Sequence, residues 1–353
     1  MRVAYHTNPY ISHRTAAAEY RACLAALGHE VMTGLERLDD ADVVILHEEP
    51  TVYDELYTRW PVLRSKRVIA CCVWENETLA GAFQKPLGRV DAVWTPSHFS
   101  ASSMLPHCSR VHVLPHVVRR SAFSREDAAW AKERIQADPG VFVFFSIIDA
   151  VNPRKNVEGL LTAFQKARNA LGGRARLVLK QYRLAFDFSA VPGVVSITEE
   201  ASAGQMAALH ALCGAYVSAH HAEGWGLGLS EAMAFGRPVI ATGYSGNMDF
   251  MDESNSFPVP YTMAPVSALM CERIPLFTRD MRWAEPDLNA MADCMVRVAR
   301  GRIPEGLRER AASVAVRFGP EAIADRLARL LEHFHFENAP SPGVYTAGRA
   351  NEA

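Results

Sequence analysis

Short apolar runs and amphipathic stretches alternate almost from one end of this sequence to the other. MRVAYH reads as a strand. Helical spacing then carries Ala16, Tyr20, Cys23, Leu24 and Leu27 to a stop at Gly28, a sensible C-cap. GHEVMTG, DVVILHE, RVIACCVWE and DAVWTPS follow as strands, and VHVLPHVV closes the series. A charged helical stretch, RRSAFSREDAAWAKERIQADPG, leads into a second series. There VFVFFSI, ARLVLKQ, AYVSAHH and PVIAT are the strands, and NVEGLLTAFQKARNAL and AGQMAALHALCG are helices between them. The last helical pattern, PEAIADRLARLLEHFHFE, keeps Ile323, Leu327, Leu330 and Leu331 on one face, and the tail from Asn338 reads as frayed. The strands are rich in Val and Ile and apolar throughout, as strands covered on both faces are. Two βαβ series in tandem predict an α/β protein with two Rossmann-like, doubly wound parallel sheets. Ligands of such sheets sit beyond the carboxyl ends of the strands, and a cleft between two such domains is the default site.

Length agrees, since 353 residues suit two domains of about 150 each. A net charge of −2 gives a nucleic-acid backbone nothing to bind, so no nucleic-acid partner is expected. No apolar run approaches the ~18–20 residues that cross a bilayer, and MRVAYHTNPY lacks the layout of a signal peptide. The seven cysteines form no C-x-x-C pair, Cys71 and Cys72 being adjacent, so reduced thiols and a cytoplasmic setting are expected.

One segment carries chemistry. HHAEGWGLGLSEAMAFGRPVIATG, from His220 to Gly243, sets Glu223 and Glu231 around Gly224, Gly226 and Gly228 at the mouth of a helix. Glycines there suggest a phosphate cradle, yet carboxylates repel phosphates. A dinucleotide fingerprint fails, because G-x-G-x-x-G needs glycine where Leu229 stands. Taken singly, Glu231 is a first-turn acid behind a capping Ser230, and Glu223 a solvated loop acid. A nucleotide sugar reconciles the whole set. Its ends bear hydroxyls, which carboxylates bind well, and its central diphosphate suits the N–H groups of the Gly226–Leu229 turn.

EGWGLGLSEAMAFGRPVIAT resembles the E-x7-E signature of the retaining glycosyltransferases of family 4 (group 1), which have the GT-B fold. GHEV, VDAVWTPS, VHVLPHVV, IIDAVNPRKNVEGLLTAF and WAEPDLNAMADCMVRV resemble family segments in the same order, so the likeness runs from Met1 to about residue 335 and is nearest to a bacterial subset. The resemblance implies two domains facing an interdomain cleft. Residues 1–118, joined by the C-terminal helix 320–353, would form the acceptor side, and residues 119–319 would bind the nucleotide sugar. Glu231 would take the ribose hydroxyls and Glu223 the transferred sugar, with the backbone of Gly226, Leu227 and Gly228 against sugar and diphosphate. Arg154 and Lys155 would neutralise the diphosphate and stabilise the leaving group, with Lys180 after the next strand as a further candidate. Without the resemblance, Arg154 and Lys155 read as a solvated loop before a helix.

Departures from the family pattern are specific. FSIIDAVNP lacks the Gly-Arg pair many members carry before the phosphate loop, and NPYISHRTAAAEY has no glycine after the first strand. CCVWENE puts Trp74 and Glu75 where many relatives have a histidine, which makes those two the acceptor-side candidates. His220 and His221 lack partners at ligand spacing and read as packing residues; His98 and His116 read as loop histidines, and Arg119–Arg120 as a solvated pair. No D-x-D segment occurs, so no metal and no cofactor is expected. The expected activity moves a sugar from a UDP-, GDP- or ADP-sugar donor to a hydroxyl of a sugar, lipid-linked or small-molecule acceptor. Retention of configuration, a role in bacterial polysaccharide or glycolipid synthesis, and peripheral membrane contact come from the resemblance alone. A sugar-nucleotide epimerase, a phosphorylase and a non-catalytic nucleotide-sugar-binding subunit are the alternatives.

Overall fold

A computed structural model describes residues 1–335. Part of the C-terminal segment 320–353, including the tail from Asn338, lies outside those residues. The chain divides into two compact units, one of Met1–Val117 with the segment that begins at Phe318, the other of Val118–Arg317.

The first unit is built on strands β1 (Arg2–Thr7), β2 (Glu30–Thr33), β3 (Val43–His47), β4 (Arg67–Cys71), β5 (Ala92–Thr95) and β6 (Val111–Val113). They lie parallel in the order β2-β1-β3-β4-β5-β6, with Val3 beside Val43 and Ile69 beside Ala92. Helices α1 (Ile11–Ala26), α2 (Tyr53–Arg59), α3 (Gly81–Leu87) and α4 (His98–Met104) connect them. Every side chain of β3 is buried, which explains why its sequence does not alternate. One face of the sheet buries Tyr20, Cys23 and Leu24 of α1 together with Ile323, Leu327, Leu331 and Phe334 of the final helix. An apolar stripe at helical spacing has no other way to leave water, and each leucine so covered contributes about 1.5–3 kcal/mol.

The second unit repeats the plan with β7 (Phe142–Ile148), β8 (Ala175–Gln181), β9 (Val194–Ile197), β10 (Ala215–Ser218), β11 (Val239–Thr242) and β12 (Phe257–Val259), in the order β12-β11-β10-β7-β8-β9. Its connecting helices are α5 (Arg125–Ile135), α6 (Val157–Ala170), α7 (Ala203–Leu212) and α8 (Leu227–Ala234). Reciprocal capping boxes start α5 (Ser124 with Asp127) and α7 (Ser202 with Gln205), each satisfying two of the N–H groups a helix start leaves open. An antiparallel pair, β13 (Tyr261–Pro265) with β14 (Arg282–Pro286), then departs from the parallel rhythm. Helices α9 (Ala268–Arg273), α10 (Leu288–Ala299), α11 (Leu307–Ala312) and α12 (Val314–Arg317) complete this unit, and α13 (Pro320–His335) belongs to the first.

Candidate active site

In the second unit the loops after β7, β10 and β11 meet beyond the carboxyl ends of their strands. The β7 loop runs through a single turn at Pro153–Lys155, capped by Asn152, to Asn156, whose φ of 46° lies in the left-handed region. Asn156 also holds the next loop, its amide donating to the carbonyl of Ala219 at 2.9 Å, while the His221 N–H donates to the carbonyl of Arg154 at 2.9 Å. Backbone bonds therefore fix Arg154 and Lys155 against the start of the glutamate motif.

Those bonds bring the charges together. Lys155 Nζ lies 2.5 Å from one carboxylate oxygen of Glu223, and Arg154 Nη1 lies 3.1 Å from the other. Glu223 is buried, and burial alone would raise its pKa; Lys155 and Arg154 outweigh that and hold the carboxyl well below the usual range. The two cations are unequal. The Arg154 side chain is 8% exposed and also donates to the carbonyl of Ala222, whereas that of Lys155 is 26% exposed. Arg154 thus braces Glu223 from inside, and Lys155 is the cation that a solute can reach. The resemblance implies that both contact the diphosphate; in the structure the Lys155 side chain is the more exposed of the two.

The β11 loop closes the back of the clasp. Ser245 Oγ accepts from the Glu223 N–H at 2.7 Å, the Gly246 N–H donates to the Glu223 carbonyl at 2.8 Å, and Thr242 Oγ1 donates to the His220 carbonyl at 2.6 Å. A Cβ on Gly246 would stand 2.1 Å from the Gly224 carbonyl oxygen, so this close approach requires glycine. His220 is buried between Ser218 and Asn247, and burial pulls its pKa down to about 4. His221 stacks on Trp283 of β14 with ring centroids 4.0 Å apart, and its Nδ1 lies 2.8 Å from the Ala284 carbonyl. Both histidines are packing elements, as the sequence reading expects.

Helix α8 starts beside this clasp. Gly226 is its N-cap with a φ of 94°, a conformation that favours glycine. Leu227 and Gly228 lead the helix and are half-buried; by helix geometry their N–H groups have no intrahelical acceptor. A Cβ on Gly228 would stand 2.5 Å from the Tyr216 hydroxyl, so this glycine also has a packing reason. Ser230 is not the cap. Its hydroxyl donates to the Leu227 carbonyl and accepts from the buried Trp225 indole. One turn into the helix, Glu231 is partly exposed, and its carboxylate lies 3.2 Å from His210 Nε2, outside hydrogen-bonding geometry.

Other candidates belong to other elements. Lys180 stands inside β8, not after it; its ammonium donates to the Gln181 carbonyl at 2.8 Å and sits over the Tyr182 ring. In the first unit Trp74 is a buried side chain, its indole N–H donating to the Thr78 carbonyl at 2.7 Å and its ring packed edge-on against Phe83. A ring so enclosed cannot stack on an acceptor. Glu75 beside it is half-buried. The sequence gives no signal for the polar group at the ends of β1 and β3, where Asn8 bridges His13 and Glu48, and Tyr5 meets His47 at 2.9 Å. Its members are scattered, and only the pairing of β1 with β3 assembles them. Among the described residues no group of His, Cys, Asp or Glu is arranged to hold a metal ion, and no helix is long and apolar enough to cross a membrane.

Residues 130–256 match the family described as glycosyl transferases group 1, a span that contains Arg154, Lys155, Lys180, Glu223 and Glu231. No curated protein matches the sequence. Among solved structures, HepE of Anabaena in complex with UDP-glucose superposes with a TM-score of 0.66 at 14% identity, over 94% of this chain and 99% of that one. A glycosyltransferase from Rickettsia africae gives 0.67 at 14% identity, over 96% and 99%. The pneumococcal O-GlcNAc transferase GtfA, in complex with UDP and GlcNAc, gives 0.59 at 14% identity, over 92% of this chain but 61% of its own. At such identities the likeness is one of fold. The chain has the two-domain α/β architecture of GT-B glycosyltransferases, with two parallel six-stranded sheets.

Proposed function

We propose that this protein is a retaining glycosyltransferase that moves a sugar from a nucleoside diphosphate sugar to an acceptor hydroxyl. The observation that carries this reading is the Lys155–Glu223–Arg154 clasp beside the N-terminus of α8. Two cations on one carboxylate leave an excess of one positive charge, next to backbone N–H groups at the positive end of a helix. A diphosphate fits that combination and a neutral ligand does not. In this reading Leu227 and Gly228 receive the diphosphate, Lys155 meets its distal phosphate, Glu231 accepts from the ribose hydroxyls, and Glu223 accepts from the sugar with the lone pairs its partners leave free. Lys180 is not needed for it.

The bond from the anomeric carbon to the distal phosphate oxygen breaks with its electron pair going to phosphate, and Lys155 stabilises the charge that grows there. The acceptor oxygen bonds to the same face of the anomeric carbon, and its proton passes to the departing phosphate. Complexes of HepE and GtfA with UDP make a uridine donor the first to test. Synthesis of a bacterial polysaccharide or glycolipid in the cytoplasm, with a lipid-linked acceptor at the membrane surface, is the setting we propose.

The test is incubation of the protein with UDP-, GDP- and ADP-sugars, with release of free nucleotide as the readout. Release from one donor class, lost in Lys155→Ala, is the expected result. Binding without release would make the chain a non-catalytic subunit, and epimerised donor without free nucleotide would make it an epimerase.

A further inference from the structure

The opposite end of α8 borders a second concavity, of about 490 Å³, which nothing in the reaction above uses. Arg120, Phe123, Leu212, Phe235 and Arg237 line it. Eight helical residues put it about 12 Å along the axis from the start of α8. The Arg120 guanidinium lies over the Phe235 ring, 5.7 Å from its centroid. Arg237 donates one hydrogen bond to the Ala211 carbonyl at the end of α7, but its Nε is buried and has no hydrogen-bond partner among the described residues. Burial, and then the charges of Arg308 and Arg120, lower the pKa of Arg237; Arg308 packs its backbone against Gly236 and does not line the cavity.

The two arginines of the lining repel each other, and neither has a carboxylate partner among the described residues. Unpaired guanidinium groups around a cavity are a recognition device for an oxyanion, and the planar fork of arginine suits phosphate in particular. Apart from Ser121 the remaining walls are apolar, with Phe123 39% and Leu212 36% exposed. A volume of this size holds a small organic molecule.

We propose that this pocket binds a phosphate monoester with an apolar body, its phosphate held by Arg120 and Arg237 and its body laid against Phe123, Leu212 and Phe235. The site is independent of the reaction proposed above. Its back wall nevertheless leads toward the donor site, since Phe235 stacks on His210 with rings 3° from parallel, and His210 approaches Glu231.

Phenyl phosphate is a suitable probe, titrated into the full chain by calorimetry. Arg120→Gln changes an exposed side chain and Arg237→Gln a half-buried one, both at the cavity wall. Each should weaken phenyl phosphate binding at least about tenfold, the loss expected for a charge-assisted contact. Lys155→Ala should leave that binding in place. Binding lost in Lys155→Ala but kept in Arg120→Gln would put the probe in the donor site and overturn the proposal, as would equal affinity for benzoate or none for phenyl phosphate at millimolar concentration. Sedimentation with phosphatidylcholine vesicles containing phosphatidate separates the two sources of such an ester. Co-sedimentation abolished by Arg120→Gln assigns a lipid head group; none in wild type, beside retained phenyl phosphate binding, assigns a soluble ester.

Discussion

In the proposed reaction Lys155 and Arg154, neighbours in sequence, take different parts, because the Lys155 side chain is 26% exposed and the Arg154 side chain 8%. Lys155 is reachable, so Lys155→Ala should slow single-turnover transfer by about a hundredfold or more while weakening donor binding much less, because leaving-group charge is largest in the transition state. Arg154 is committed to Glu223 and Ala222, so Arg154→Ala takes one of two cations from a buried carboxylate, leaves the Ala222 carbonyl without that donor, and should cost about 1–3 kcal/mol of stability in urea titration. Equal turnover in wild type and Lys155→Ala, or an Arg154→Ala variant as stable as wild type, would remove this division. Glu231→Gln should weaken free nucleoside diphosphate and the whole donor by a similar factor, worth about 1.5–3 kcal/mol as a charge-assisted bond to ribose. Unchanged nucleotide affinity in calorimetry would withdraw that assignment. The identity of these residues was readable from the motif and the resemblance. Which of them is buried was not, because burial depends on where the β7 loop meets the β10 loop, a contact made across 68 residues.

Apolar runs covered on both faces announce themselves, and for that reason β1, β3, β4, β7, β8, β10 and β11 were legible as strands. The antiparallel pair β13–β14 was not. Its first strand, Tyr261–Pro265, is exposed or half-buried along its whole length and bounded by prolines, so no period distinguishes it from loop. Its partner matters to the site all the same, because Trp283 and Ala284 of β14 hold His221 in place. The glycines show a similar limit. Gly226 and Gly228 belong to the motif, whereas no pattern in the sequence marks Gly246, although it has backbone rather than a flexible side chain against its missing Cβ. A methyl group there cannot be accommodated by a rotamer change, so Gly246→Ala should cost about 1–3 kcal/mol through forced backbone movement. It should also loosen the clasp, since the Gly246 N–H holds the Glu223 carbonyl. Urea unfolding together with donor titration measures both effects; a variant as stable as wild type would mean that the β11 loop is free to shift.

Each of the two units carries a buried histidine that sets a limit on acid stability. Burial pulls His116 of the first unit, whose Nδ1 lies 2.9 Å from the Tyr20 hydroxyl, down to about 3, and His220 of the second down to about 4. An unfolded histidine titrates near ~6.5. Between those values and 6.5 the unfolded chain therefore binds more protons than the folded one, so stability rises with pH across that window. The contribution is complete above pH 6.5 and is lost as the pH falls toward 4 for His220 and toward 3 for His116. Glu223 acts with the same sign but lower: burial opposes its ionisation, Lys155 and Arg154 more than compensate, and its contribution is lost only below its ordinary value of 4.5. Acid should thus weaken the molecule in two stages, histidines first and the clasp second. Each histidine accounts for at most about 1.4 kcal/mol per pH unit. Unfolding free energies from urea titrations between pH 7 and pH 4 should show a slope that His116→Gln and His220→Gln each reduce by about that amount. The double variant should lose the sum, because the two residues share no partner. A slope that neither glutamine variant changes would mean that both rings already titrate as they do in the unfolded chain, and that the acid limit lies with other groups, such as the buried His47.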